Sequence, residues 1–244
     1  MIELVILVFS AFLLLVLTLW KRKSPAKLRE IAALGHLYRA LGLSMEDGTR
    51  MHVSLGSGSL LNAHGGSALA GLALLRHIAE RTSVSDQPSV ASAGDPAMGM
   101  LAQDTLQSGY RAAGAEELYV STAGRVTGLT PFSYAVGAMN VSKNENVSAN
   151  IMIGRFGPEV ALLVDASDSE NVAAIGASDD VVGQAVLFAG TQDALIGEEL
   201  FAAGAYLGSG ASHVASLTVQ DILRWLVIIA LLGGAFAKFA GINF

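Results

Sequence analysis

Two long apolar runs, one near each end of the chain, constrain this sequence more than any other feature. Ile2 to Trp20 carries a single charge, Glu3, at its outer end. A helix of that length spans roughly 28 Å, about one hydrocarbon core. Ile222 to Phe239 is the second run, with Arg224 near its start and Lys238 near its end. At those positions long charged side chains reach the interfaces. The ends therefore predict two membrane-spanning helices, over residues 1–20 and 218–244, the second with a short tail. The first run lacks the basic start and small-residue cleavage site of a secretory signal, so it reads as a retained anchor. Thr218-Val-Gln-Asp221 sets a hydroxyl three residues before a carboxylate, a capping-box pattern expected to start the second helix.

The charges between the anchors are segregated. Lys21, Arg22, Lys23, Lys27 and Arg29 form a basic collar with no acid among residues 21–29. The positive-inside rule then puts residue 21 onward in the cytoplasm, so the expected topology is N-out, C-out. Trp20, Lys21, Arg22, Lys23, Arg224 and Trp225 are the expected membrane-interface residues. Residues 30–221 carry 8 Lys/Arg against 20 Asp/Glu, so the overall −6 averages a basic collar and a strongly acidic body. An acidic body excludes general nucleic-acid binding, which needs a basic surface. The chain has no cysteine, which excludes a disulfide scaffold, a Cys-rich zinc module and an iron–sulfur protein.

Residues 21–49 read as the collar followed by a membrane-proximal amphipathic helix. Ser24-Pro25 suits its start, Leu28, Ile31, Leu34, Tyr38 and Leu41 share one face, and Gly42 suits its end. From about residue 50 to 208 short apolar strands alternate with helices. Strands are expected at Met51–Leu55, Ser89–Ser92, Leu118–Ser121, Ala149–Ile153 and Val172–Ile175. Helices are expected at Ser67–Arg81, Pro96–Ala113, Pro131–Val141, Pro158–Ala166, Val181–Ala189 and Glu198–Leu207. Gly65–Leu75 is apolar but too short to cross a bilayer, so it reads as a buried helix. Residues 209–217 form a short joint. The fold class is therefore α/β: a doubly wound, mostly parallel, Rossmann-like sheet flanked by two transmembrane helices.

In such a sheet ligands sit at the carboxyl ends of the strands. The turn Gly56-Ser57-Gly58-Ser59 lets a backbone approach an anion, and Arg155 ends the fourth strand with a guanidinium suited to phosphate or carboxylate. These five residues are the candidate ligand site. The third glycine of a dinucleotide fingerprint is missing, since position 61 is Leu, and there is no P-loop lysine. Arg155 has a competing structural role, an ion pair with Glu159. Asp95, Asp179 and Asp180 could hold a divalent cation, but each precedes a helix and suits a cap better. No metal site is expected, no cofactor is identified, and no catalytic constellation appears: the five histidines are scattered, and neither a Gly-x-Ser-x-Gly elbow nor a Cys nucleophile is present. In the second anchor Ala230/Gly234 and Gly233/Ala237/Gly241 repeat small residues every four positions, a face that permits close helix–helix contact.

Several stretches, taken in order, resemble an uncharacterised prokaryotic family of membrane-tethered proteins, a domain of unknown function. They are Met51-His-Val-Ser-Leu-Gly-Ser-Gly58, Leu75-Arg-His-Ile-Ala-Glu-Arg-Thr-Ser-Val-Ser-Asp86, Gly128-Leu-Thr-Pro-Phe-Ser-Tyr-Ala135, Asn146 to Glu159 and Ile196 to Tyr206. The resemblance covers roughly residues 50–208. It implies a Rossmann-like body and a prokaryotic source, which with the two anchors makes the expected location a prokaryotic inner membrane, and it carries over no catalytic residue.

Three functions are compatible with this sequence. The first is a non-enzymatic membrane-anchored scaffold whose partners are the bilayer and further copies of itself. The second is a membrane-tethered module that binds a nucleotide or small anion at Gly56–Ser59. The third is an accessory subunit of a transporter or secretion complex, with other membrane proteins as partners.

Overall fold

The computed structural model describes residues 2–22, 28–61, 65–208 and 210–239. Lys23, the Ser24-Pro25 helix start and Gly241 lie outside the described residues. In chain order the elements are α1 (Ile2–Lys21), α2 (Ala32–Glu46), β1 (Arg50–Gly56), α3 (Gly65–Thr82), β2 (Val90–Ala93), α4 (Pro96–Ala112), β3 (Gly124–Val126), α5 (Pro131–Asn144), β4 (Val147–Arg155), α6 (Val160–Ser169), β5 (Ala173–Ser178), α7 (Val181–Gly190), β6 (Asp193–Leu195), α8 (Glu199–Tyr206) and α9 (Ala211–Phe239). They fall into two units, one made of Met1–Leu28 with Gly208–Phe244, the other of Arg29–Leu207.

The larger unit is built on six parallel strands in the order β3-β2-β1-β4-β5-β6. This is a doubly wound, Rossmann-like sheet. Parallel strands need crossover helices, and those helices cover both faces. On one face Met51, Val53 and Leu55 of β1 pack with Leu34, Leu37 and Leu41 of α2, Leu72, Leu75 and Ile78 of α3, and Met98 and Leu106 of α4. On the other, Met152 of β4 and Phe156 pack with Tyr134 of α5, Val160 and Leu163 of α6, and Leu187 of α7. Each fully buried Leu or Ile contributes about 1.5–3 kcal/mol relative to exposure, so these two clusters dominate the fold's stability.

The helix starts follow local chemistry. Asp95 caps α4 by accepting from the Met98 N–H at 3.0 Å, with Pro96 at the first helical position. Thr130 and Ser133 form a reciprocal capping box at α5, with Pro131 following the cap. Gly71 of α3 lies so close to the sheet that a Cβ there would sit 2.9 Å from both the Ile153 carbonyl oxygen and Leu55 Cδ2. Glycine is what lets this helix seat on β1 and β4.

Four sequence expectations give way to the structure. The third strand is not Leu118–Ser121: Glu116–Leu118 and Ser121–Ala123 are single 3-10 turns, and β3 is Gly124–Val126. Leu118 and Val120 are exposed, whereas Gly124 is buried against Gln103, where a Cβ would stand 2.9 Å from Gln103 Cγ. A sixth strand, β6, escapes hydropathy because it has three residues and opens on Asp193. α2 runs through Gly42 to Glu46, and its buried leucines group it with the sheet of the larger unit. Finally, α9 starts at Ala211 rather than Thr218, and Thr218 donates its hydroxyl to the Val214 carbonyl within the helix.

In the smaller unit, α1 and α9 are long and apolar enough to cross a membrane. Leu17 of α1 is buried with Ala215 and Val219 of α9, and Leu13, Ile222 and Leu223 pack around them. The 29 residues of α9 extend about 43 Å, more than one hydrocarbon core of roughly 30 Å.

Candidate functional site

From β1 the chain winds outward through β2 to β3, then returns to β4 beside β1 and winds the other way through β5 to β6. The strand order therefore reverses between β1 and β4, and ligands of open α/β sheets bind in the crevice at such a switch point. Gly56 ends β1 and Arg155 ends β4, and the two are partners in the ladder. The five residues expected to form the ligand site are thus brought together at this point.

The turn is tightly built. Gly56 adopts φ +74°, and a Cβ on it would lie 2.3 Å from the Arg155 carbonyl oxygen. A Cβ on Gly58 would lie 2.8 Å from Arg155 Cβ. The Ser57 N–H donates to the Arg155 carbonyl at 3.1 Å, and the Gly94 N–H donates to the Gly56 carbonyl at 2.9 Å. The Gly56 N–H donates to the Tyr134 hydroxyl at 3.1 Å. Both glycines thus serve close approach of strand ends, and the first two N–H groups of the turn already have partners. The next described helix, α3, starts only at Gly65. This is not the pyrophosphate cradle of a dinucleotide fold, where the second glycine opens the helix. The close helix–strand contact that a fingerprint's third glycine provides is made here by Gly71.

The cation at the switch point is Arg155. Its Nη2 lies 3.5 Å from Asp180 Oδ2, and its side chain is 33% exposed. Its Nη1 is buried without a hydrogen-bond partner among the described residues. The expected pair with Glu159 is not what forms. Glu159 is buried and turns back to accept from the Gly157 N–H at 2.9 Å, which leaves Arg155 to Asp180. Asp180 also caps α7, accepting from the N–H groups of Val182 and Gly183 at 3.0 and 3.4 Å. Ser178 holds the neighbouring loop, accepting from the Phe156 and Asp180 N–H groups and donating to the Phe156 carbonyl. Asp95 and Asp180 are caps. Among the described residues no three His, Asp or Glu side chains group as a metal site.

A family model matches the chain over residues 1–244. The chain belongs to DUF6754, a domain of unknown function. No curated protein and no solved structure matches it. The DUF6754 match takes in α1 and α9 as well as the sheet.

Within this DUF6754 chain the sheet face toward α5 carries a buried polar row that hydropathy alone does not single out. His52 Nε2 lies 2.8 Å from Ser92 Oγ, and His52 Nδ1 lies 3.3 Å from Ser142 Oγ. Ser92 Oγ is 3.4 Å from the Tyr134 hydroxyl, which in turn holds Gly56. Ser54 donates to Asn150, Asn150 to Ser167, and Ser167 to the Leu163 carbonyl. Burial, reinforced by the nearby Arg125, lowers the His52 pKa to about 3, so this imidazole is neutral. Burial likewise raises the Tyr134 phenol above its ordinary value, partly offset by its hydrogen bonds from Ser92 and Gly56. The signal is present in the alternation Met51-His-Val-Ser-Leu, which in a parallel sheet buries both faces.

The expected interface and packing residues divide between described and undescribed positions. Trp20 and Trp225 are exposed, and the Lys21 ammonium lies 5.8 Å from the centre of the Trp20 ring. Arg22 follows α1, and its N–H donates to the Thr18 carbonyl. Arg224 lies 3.7 Å from Asp221, and both it and Trp225 stand well inside α9 because that helix starts early. Ala230, Gly233 and Gly234 are exposed on α9, and a Cβ on either glycine would meet nothing within 4 Å. Ala237 falls within the span of α9, but its side chain, like Gly241 as a whole, lies outside the described residues. The small-residue face is therefore described at three of its five expected positions: Ala230, Gly233 and Gly234.

Proposed function

We propose that this protein is a membrane-anchored α/β module that binds a small anionic ligand, a nucleotide or other phosphate ester, at the switch point between β1 and β4. One observation carries this reading: the strand order sets Arg155, with a buried Nη1 that lacks a partner among the described residues, beside the Gly56–Ser59 turn at the reversal of the sheet. A buried donor without a partner is costly, and an anion supplies the acceptor. The chain's own groups would bind through the Arg155 side chain, with Asp180 and Ser178 fixing the loops around it. The basic run after α1 supports a cytoplasmic location for this module, with both chain ends outside. The test is a thermal-shift panel of nucleotides and phosphate esters on the full chain in detergent, repeated with Gly58→Asp. A stabilisation by one class, abolished by Gly58→Asp, supports the reading. No shift across the panel rejects it.

A second reading concerns the anchors. The open small-residue face of α9 at Ala230, Gly233 and Gly234 supports self-association into a membrane scaffold, because small residues let helix backbones approach. Strictly monomeric protein in detergent and in lipid nanodiscs would remove this reading.

A further inference from the structure

The surroundings of Arg155 narrow the ligand class, an inference that rests on the switch-point reading. Leu61, two residues past Ser59, is 92% exposed. Val181 and Val182, directly after the Asp180 that meets Arg155, are 79% and 51% exposed. Leu129 and Phe132, just ahead of the Tyr134 that holds Gly56, are exposed as well. All five follow a strand of a wholly parallel sheet, so the topology brings them to its carboxyl end. Large exposed apolar side chains at the end of the sheet that carries the switch point are a feature that water disfavours and a ligand can cover. A bare phosphate or a polar ester leaves them wet.

The anionic part follows from Asp180. It already offers Arg155 one carboxylate at 3.5 Å. A ligand has to compete with it, and a phosphate monoester, with its higher charge and three acceptor oxygens, does so better than a second carboxylate. Docking of the whole end on an anionic bilayer surface is opposed by the acidic body, with 20 Asp/Glu against 8 Lys/Arg over residues 30–221. Capture of a single molecule is not opposed in this way. Two membrane-length helices on the same chain tether this unit to a source of apolar chains. We propose that the ligand is a phosphate-bearing amphiphile, its headgroup on Arg155 and its alkyl chain across Leu61, Val181 and Val182.

The experiment is calorimetric titration of the full chain in one fixed detergent with four probes: inorganic phosphate, glycerol 3-phosphate, octanoyl lysophosphatidate and octanoylglycerol. The expected result is that octanoyl lysophosphatidate binds at least about tenfold tighter than glycerol 3-phosphate, as burial of a few methylenes requires. Arg155→Gln should weaken both phosphate esters about tenfold or more. Val181→Ser with Val182→Ser, both at exposed positions, should weaken only the acylated one. Arg155→Lys, which keeps the charge but not the fork, should fall between wild type and Arg155→Gln. If glycerol 3-phosphate binds through Arg155 and the acyl chain adds nothing, the amphiphile is refuted while the anion site stands. If octanoylglycerol binds as tightly as its phosphate, the heat is partition into detergent and the amphiphile is again refuted. If none of the four binds, both the amphiphile and the anion site fall.

Discussion

The Tyr134 hydroxyl accepts a hydrogen bond from the Gly56 N–H at 3.1 Å, so the first turn of α5 holds the end of β1 at the switch point. Both groups are buried. Tyr134→Phe removes the acceptor and leaves the Gly56 N–H buried with nothing to bond, which costs about 1–3 kcal/mol. The expected outcome is a lower denaturation midpoint for the α/β unit, with its circular dichroism otherwise native. A midpoint equal to wild type would mean that Gly56 is held by the ladder alone.

The buried imidazole makes the fold acid-sensitive over a definite range. The His52 pKa is about 3 when folded and near 6.5 in the unfolded chain. Between those values the unfolded state binds the extra proton, so stability rises with pH. The contribution is complete above about pH 6.5 and is lost progressively as pH falls towards 3, at up to roughly 1.4 kcal/mol per pH unit. Urea midpoints measured from about pH 7 to 4 should show this slope, and His52→Gln should flatten it. An unchanged slope in His52→Gln would assign the acid loss to other groups.

Much of this architecture is legible in the sequence because it rests on periodicity and punctuation. Asp95-Pro96 and Thr130-Pro131 mark helix starts that the structure keeps. The apolar runs at Met51–Leu55 and Ala149–Ile153 lie inside the central strands β1 and β4. The switch-point turn is legible too, since Gly56 and Arg155 stand at strand ends and Gly58 lies two residues past Gly56. What is hidden depends on tertiary contact. Gly124–Val126 carries a weaker apolar signal than Leu118–Val120, yet it is the strand, because only a glycine at 124 lets the chain approach Gln103. The pairing of Arg155 with Asp180 is invisible to local spacing, because Asp180 reaches the arginine only through β5. The polar row of His52, Ser92 and Asn150 reads as a solvated face until the second layer of helices is in place.

At the opposite end of the strands one carboxylate serves two guanidinium groups. Glu145, the residue directly after α5, accepts from Arg125 Nη1 and Nη2 at 2.5 and 3.1 Å and from Arg50 Nη1 at 2.6 Å. Arg50 also donates to Gln87 at 3.0 Å. The three charged side chains are 22–33% exposed, so solvent screens them partly. Glu145→Gln leaves two like charges facing one another and should destabilise by about 1–2 kcal/mol. The loss should shrink in about 1 M salt, which screens the repulsion between Arg50 and Arg125. Chemical denaturation in urea at low and high salt separates this from a packing defect, which salt would not relieve.

Two helical glycines should answer the same substitution in opposite directions. Gly42 lies inside α2, and a Cβ there would meet nothing within 4 Å. Gly42→Ala therefore removes backbone entropy from the unfolded chain and introduces no clash, and it should stabilise by about 0.5–1 kcal/mol. Gly71 has the same propensity to gain but no room. Its Cβ would stand 2.9 Å from the Ile153 carbonyl oxygen, a backbone atom of β4 that cannot turn aside. Relief requires α3 to lift from β1 and β4, which loosens the contacts of Leu72, Leu75 and Ile78 with the sheet. Overpacking of this kind costs about 1–3 kcal/mol, more than the helix propensity returns. Gly71→Ala should thus lower the midpoint while Gly42→Ala raises it. If both raised it, α3 would not be seated against β4 as closely as Gly71 allows, and the end of β4 that carries Arg155 would be freer to move than the switch-point geometry requires.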